Sequence, residues 1–335
     1  VTDTASLSFV IPVRNDAVRL GRCLASIRRN WPTGGAFEVI VVDNGSADAS
    51  PEVARKAGAR VIVLPGLTVA ELRNRGASEA PTDIVAFVDA DHEIAPTWAV
   101  AALDAISGDR VGAAGALYRP PPVGTWVQRF YGVLRGTTAG RHDVAWLGSG
   151  NLAVRREAFD AIGGFDASLV ACEDVDFCQR LRAAGWRVVG DERLESIHLG
   201  DPATLAALFR AERWRGRDNL RVSLRGPLSI RDLPSILIPI GDLLLLLAAA
   251  TAGIASQFVR GGWTVAAESL AAIAVLSALR AVWIAARAGL RRPIDLVRAV
   301  LVAIVYDAGR ALALLTSASH HRRVAGDRAA ARTPA

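Results

Sequence analysis

After Pro227 the chain changes character: three apolar stretches, 235–259, 263–286 and 294–318, follow one another. Each exceeds the about 20 residues that a helix needs to cross a bilayer. No other feature limits the fold so severely, because a backbone in hydrocarbon must satisfy its own polar groups. The first stretch holds "LLLLLAAATAGIA" (243–255) and makes a soluble helical bundle the weaker reading. The second carries Glu268 and Arg280. The third carries Arg298, Asp307 and Arg310, spread over roughly half of a helix circumference. It either spans with those groups against neighbours or lies in the interface. A membrane region is therefore expected over 226–320, followed by an Arg-rich tail, 321–335, expected to be disordered.

Residues 1–225 have a different pattern and are expected to form one catalytic domain. Strand and helix signals alternate: strands at 7–13, 37–43, 60–64, 83–91 and 110–118, and helices at 16–30, 50–58, 68–80 and 96–107. Gly58 stops one helix and Pro96 lies near the first turn of another. This order implies a mainly parallel α/β sheet with helices on both faces. The stretch 119–150 is looser, rich in Pro, Gly and aromatics. A short strand, a helix and a Gly-Gly turn follow over 150–166, then an acidic-to-apolar helix at 172–186 and a basic helix at 208–220. The apolar run 7–13 is too short for a targeting segment and reads as the first strand.

In such sheets ligands sit beyond the carboxyl ends of the strands. Asp43 ends the second strand, and "VDAD" puts Asp89 and Asp91 at the end of the fourth. Like charges this close are tolerated best where a cation or a ligand's donors lie between them. The first strand leads into "PVRND", not into a G-x-G-x-x-G turn, and no G-x-x-x-x-G-K-[ST] occurs, which excludes dinucleotide and P-loop folds. Net charge is +6, and the arginines concentrate beside the apolar segments, so membrane anchoring explains them and nucleic acid is not an expected partner. Cys23, Cys172 and Cys178 lack zinc spacing and read as thiols in a reducing compartment.

Seven motifs occur in a fixed order: "SFVIPVRND", "VVDNGSAD", "ELRNRGA", "VDAD", "GSGNLAVRREAFDAIGGFD", "EDVDFCQRLRAAGW" and "RAERWRG". In this order they resemble family 2 glycosyltransferases in their membrane-associated form, over residues 6 to about 220. The resemblance implies a GT-A catalytic domain that moves a sugar from a nucleotide diphosphate donor, a UDP-sugar being favoured. It places Asp43 against the base, Pro12, Arg14 and Arg73 near base or diphosphate, and Asp89 toward the ribose. Asp91 would hold the metal and His198 would complete its site. The "EDVD" motif would supply the general base, Asp174 first and Glu173 second. Arg213 and Trp214 match an acceptor-side element, here R-A-E-R-W in place of the glutamine form, which puts processivity in question.

The residue chemistry agrees. A hard cation neutralises a leaving diphosphate, and Mg2+ or Mn2+ suits carboxylate and imidazole ligands. A carboxylate on a separate element can serve as base, and no second carboxylate stands out as a nucleophile, which favours inversion. Plainer readings stay open at this level: Asp43 as a turn former, Asp174 as a helix N-terminal charge, His198 as a structural histidine, and Arg213 and Trp214 as a membrane-surface face. The rival functions are an inactive nucleotide-binding membrane scaffold and a sugar-phosphate nucleotidylyltransferase. The expected setting is the cell membrane, with the catalytic domain cytoplasmic and a lipid-linked or glycan acceptor. "RAGLRRP" (287–293) then reads as a cytoplasmic loop.

Overall fold

The computed structural model describes residues 7–31, 36–226, 233–289 and 292–330, with side chains as far as 316. The chain opens with β1 (Leu7–Val13), α1 (Ala17–Asn30), β2 (Phe37–Asp43), α2 (Ser50–Lys56), β3 (Arg60–Val63) and α3 (Val69–Glu79). A capping box fixes the start of α3: the Glu71 N–H donates to Thr68 Oγ1 at 3.3 Å, and the Thr68 N–H donates to Glu71 Oε2 at 2.8 Å. Then come β4 (Ile84–Val88), β5 (His92–Ile94), α4 (Trp98–Ile106), β6 (Val111–Gly115), α5 (Trp126–Arg135), β7 (Arg141–Asp143), β8 (Asn151–Arg155) and α6 (Arg156–Ala161). The chain continues through α7 (Glu173–Ala183), β9 (Arg187–Asp191) and β10 (Ser196–His198). Helices α8 (Leu205–Arg215), α9 (Asn219–Ser223), α10 (Leu233–Ala255), α11 (Gly262–Ala288) and α12 (Pro293–Ala330) complete it.

Two compact units result: one holds the residues up to 123 and 135–201, the other 124–134 and the residues from 202 on. The division thus falls elsewhere than at the expected 225. The reason is local: Val127, Phe130 and Tyr131 of α5 and Leu208 of α8 share one apolar cluster with residues of α11 and α12.

The first unit is built on an eight-stranded sheet of order β3-β2-β1-β4-β8-β6-β9-β7. The pairs β1–β2, β1–β4, β2–β3 and β6–β9 are parallel, and β8 runs antiparallel to both β4 and β6. The sheet is mixed and mostly parallel. Alternation along β1 feeds two cores: Phe9 and Ile11 pack with Leu20 and Ile27 of α1 and Trp98 of α4, and Val10 packs with Leu72 of α3 and Phe177 of α7. Helices therefore cover both faces, as the alternation of elements predicts.

Two expectations need correction. The strand expected over 83–91 ends at Val88, and the chain turns at Asp89, whose carbonyl accepts from the His92 N–H at 3.0 Å. β5 then pairs antiparallel with β10 in a separate two-stranded sheet, joining Ser196 to Ile94 and His198 to His92. The stretch 119–150 is not loose throughout, because the apolar face of α5 finds a partner surface.

In the second unit α10, α11 and residues Pro293–Thr316 of α12 are long and apolar enough to cross a membrane. The backbone of α12 stays helical through Ala330, into the tail expected to be disordered, where Ala and Arg favour helix. Residues 331–335 lie outside the described residues. The charges of α12 face neighbours: Asp295 pairs with Arg129 of α5 at 3.3 Å, Asp307 with Arg280 of α11 at 2.8 Å, and Arg310 with Glu212 of α8 at 3.1 Å.

Phe87 on β4 is fully buried against Phe159 and Phe165, at ring-centroid distances of 5.7 and 5.1 Å. Phe87→Ala is expected to destabilise the first unit by about 3–5 kcal/mol, read as a lower denaturation midpoint.

Candidate active site

The loops that follow β1 and β2 are stitched together at the carboxyl edge of the sheet. Asn15 takes a left-handed turn, its N–H donates to Ser46 Oγ at 2.9 Å, and its Oδ1 accepts from the Ala47 N–H at 2.7 Å. Pro12 is buried in β1 opposite Val42, and Arg14 is exposed just beyond the strand end. Asp43 ends β2 opposite Val13 and is 1% exposed. Its Oδ1 accepts from the Ser46 N–H at 2.8 Å, which is the turn-forming contact. Its Oδ2 is buried without a partner, an acceptor open to a donor such as a base N–H.

Arg73 lies on α3, 2% exposed. Its Nη1 donates to Glu173 Oε1 at 2.8 Å and its Nη2 to Asp89 Oδ1 at 2.6 Å. The guanidinium also sits 5.7 Å from the Phe165 ring centroid. Arg73, expected near base or diphosphate, holds two carboxylates with its terminal nitrogens, one after β4 and one at the start of α7, and its Nε has no hydrogen-bond partner among the described residues. Glu173 takes a further hydrogen bond from Ser149 Oγ at 3.3 Å. Asp174, its neighbour, has no such arginine contact. Burial, and then the charge of Glu173, push the Asp174 carboxyl well above the usual carboxylate range.

The second cluster forms across the small sheet. Asp91 Oδ2 lies 3.2 Å from His198 Nε2, and His198 Nδ1 lies 2.6 Å from Asp201 Oδ1. Arg135 holds Asp201 from the other side and stacks on Tyr118 at 4.6 Å. Burial works against the imidazolium, but the hydrogen bonds of Asp201 and Asp91 outweigh it and raise His198 to about 9. Burial likewise opposes ionisation of Asp91, and His198 overrides it, so Asp91 falls below the usual carboxylate range. His92 bonds Ser196 Oγ through Nδ1 at 2.9 Å, and burial together with the His198 charge lowers it to about 4.

Ligand atoms of Asp91, His92 and His198 all lie within 4.8 Å of one another. One carboxylate and two imidazoles, one backed by Asp201, form a set that fits a divalent cation.

Two glycines make room for the acids. A Cβ on Gly150 would fall 2.4 Å from Asp89 Oδ2, and one on Gly200 would fall 1.9 Å from Asp91 Oδ2. Sequence reading missed His92, Gly150, Gly200 and Asp201 as site residues. The adjacent "DADH" and the "HLGD" spacing carry the signal for His92 and Asp201; the glycine clearances exist only in three dimensions. Arg213 and Trp214 belong to α8 in the second unit, where Trp214 is exposed and the preceding Glu212 is buried.

The residues 8–163 match the sequence model of glycosyl transferase family 2. The N-acetylglucosaminyl-diphospho-decaprenol L-rhamnosyltransferase of Mycobacterium tuberculosis is 32% identical over 284 residues, which covers 68% of this chain and 92% of that protein. Glycosyltransferase AglE of Haloferax volcanii is 27% identical over 236 residues, covering 67% and 76%. Mannosyltransferase PcManGT of Pyrobaculum calidifontis, solved with GDP-Man and Mn2+, aligns with a TM-score of 0.56 at 18% identity over 91% of this chain and 86% of its own. The chain belongs to glycosyltransferase family 2, its first unit has the GT-A fold, and it is a glycosyltransferase.

Breaking a buried ion pair leaves an uncompensated charge and costs about 3–5 kcal/mol. Arg73→Gln is expected to lower stability on that scale. Because the Arg73 charge also holds Asp174 down, the acid limb of the pH–rate profile should move to higher pH. An unmoved limb in folded variant protein would separate Arg73 from the EDVD helix.

Proposed function

We propose that this enzyme transfers a sugar from a nucleoside diphosphate donor, a UDP-sugar being favoured, to a hydroxyl of a lipid-linked acceptor, with inversion. The observation that carries the reading is the separation of two acidic sites in one unit: Asp91 with His198, and Asp174 beside the Arg73-held Glu173. Asp43 Oδ2 accepts from the base, and Arg14 and Pro12 border it at the strand edge. Asp89, fixed by Arg73, accepts from the ribose. Asp91, His198 and His92 would hold a divalent cation, which neutralises the diphosphate leaving group when bound. Two imidazoles suit Mn2+ better than Mg2+, which prefers an all-oxygen shell. Asp174 takes the proton of the acceptor hydroxyl as it attacks the anomeric carbon; Glu173 is less suited, since its Oε1 already accepts from Arg73 and Ser149. The acceptor class rests on the apolar helices and on the relative that acts on diphospho-decaprenol.

The membrane reading follows the charges. Helices α10 and α11 form the crossings. α12 carries α5 and α8 along one face through Arg129–Asp295 and Glu212–Arg310, so it lies in the interface. Two crossings put the catalytic unit and the Arg-rich end both in the cytoplasm, as the positive-inside rule requires. Arg213 and Trp214 on α8 then face the acceptor at the membrane surface. A C-terminal tag is expected to be protected from protease in sealed right-side-out vesicles and accessible in inverted ones; the opposite result makes α12 a third crossing.

Two substitutions separate metal from base. Asp91→Asn should weaken Mn2+-dependent nucleotide binding and abolish transfer. Asp174→Asn should leave nucleotide binding near normal and cut kcat by about 10²–10⁴-fold, the usual loss for a general base. Since the Asp174 carboxyl is raised, transfer should grow with pH along an acid limb above the ordinary carboxylate range. A panel of UDP-, GDP- and dTDP-sugars, assayed for metal-dependent transfer by membranes that hold the protein, tests the donor class. Near-full turnover by Asp174→Asn sinks the base assignment, and full metal-dependent activity of Asp91→Asn sinks the metal site.

A further inference from the structure

We propose that a polar cavity in the helical unit binds the phosphate-bearing headgroup of a polyprenyl-type lipid, an inference that rests on the lipid-linked acceptor proposed above. The cavity, about 220 Å3, is lined by Ser235 and Pro239 of α10, Arg280 of α11, and Tyr306, Asp307 and Arg310 of α12, among others. A single water needs only about 10–15 Å3. Ser235 and Pro239 lie in the first two turns of α10, and Arg280 lies in the last third of α11. In a hairpin of two crossings these belong to the same end, so the cavity sits at headgroup depth.

Its chemistry is that of an incomplete ion cluster. Arg280 Nε pairs with Asp307 Oδ1 at 2.8 Å, and Arg310 Nε with Glu212 Oε2 at 3.1 Å. Both guanidinium groups flank the Tyr306 ring, 4.9 and 5.5 Å from its centroid, which limits where they can swing. Asp242 of α10 is buried with both carboxylate oxygens unpartnered among the described residues, within electrostatic reach of Asp307 and Arg280; Asp307 Oδ2 is unpartnered too. Pro239 removes a helix bond, and the Ser235 carbonyl it frees accepts instead from Asn219 Nδ2 at 2.8 Å.

The cluster thus has acids short of donors, and an Arg280 whose five N–H donors exceed what one carboxylate takes. Ionisable groups set among membrane helices mark ligand paths. A phosphorylated, hydroxyl-bearing headgroup meets both needs: phosphate oxygens accept from guanidinium, and hydroxyls donate to the acids. Inorganic phosphate offers the same oxygens, but the cavity is walled by helices long and apolar enough to cross a membrane, which favours a lipid as the source. Glu212 also ties the cavity to the acceptor-side element, since it sits beside Arg213 and Trp214 and pairs with Arg310.

The test uses the full chain in nanodiscs with decaprenyl phosphate, decaprenol and inorganic pyrophosphate as probes. Decaprenyl phosphate is expected to bind at least tenfold more tightly than decaprenol, with pyrophosphate weaker than either. The double substitution Arg280→Gln/Asp307→Asn removes the pair without leaving one buried charge, and should abolish the preference for phosphate while Mn2+-dependent nucleotide binding stays intact. Equal binding of the two lipids overturns the proposal, as does a preference that survives the double substitution. Pyrophosphate binding as tight as that of decaprenyl phosphate overturns the lipid source. Transfer to a water-soluble sugar with no dependence on any prenyl lipid would instead sink the acceptor reading, whatever the binding results.

Discussion

A single buried guanidinium joins the two acidic segments of the catalytic unit. Arg73 reaches from α3 to Asp89, just past β4, and to Glu173, at the start of α7. Those acids are 84 residues apart in the chain (173 minus 89), yet one planar fork sets the distance between them. Buried pairs contribute little net stability, because desolvation offsets the attraction. Their value here is positional and electrostatic. Burial first, and then the neighbouring Glu173, raise the Asp174 carboxyl. The Arg73 side chain thus holds Asp89 and Glu173 together, with Asp174 next in sequence.

Close clearance governs the metal-competent cluster. Strand β4 stops before its acids, and the turn at Asp89 swings Asp91 and His92 into a small sheet with β10. That sheet brings His198 to Asp91, and Asp201 orients the ring from behind. Nothing larger than hydrogen fits at Gly150 or Gly200 without moving a carboxylate. Asp91 Oδ2 and His198 Nε2 lie 3.2 Å apart.

The helical unit applies the same logic in an apolar setting. Every charge described on α12 from Asp295 to Arg310 has a partner within the unit: Arg129, Asp295, Arg280 and Glu212 pair with them in turn. The charged face of α12 is covered by α5, α8 and α11. The cluster around Asp242 departs from this pattern, being buried and short of donors.

The sequence by itself determined the alternation of strands and helices, the placement of Asp43 at a strand end, the apolar helices and the motif order that marks the family. These are local signals: periodicity, turn residues and run length are written in neighbouring positions. The strand through Asp91 was misread because the apolar run in "DIVAFVDAD" gives no sign that pairing stops at Val88. The joining of α5 and α8 to the apolar helices was equally hidden, since an amphipathic face does not name its partner. Asp91 and His198 were legible as a pair only through the resemblance; His92, Asp201 and the two glycine clearances were not read at all. The role of Arg73 was decided by tertiary structure alone. Its motif shows an arginine on a helix, and only the crossing of α3, β4 and α7 determines that its two terminal nitrogens meet Asp89 and Glu173.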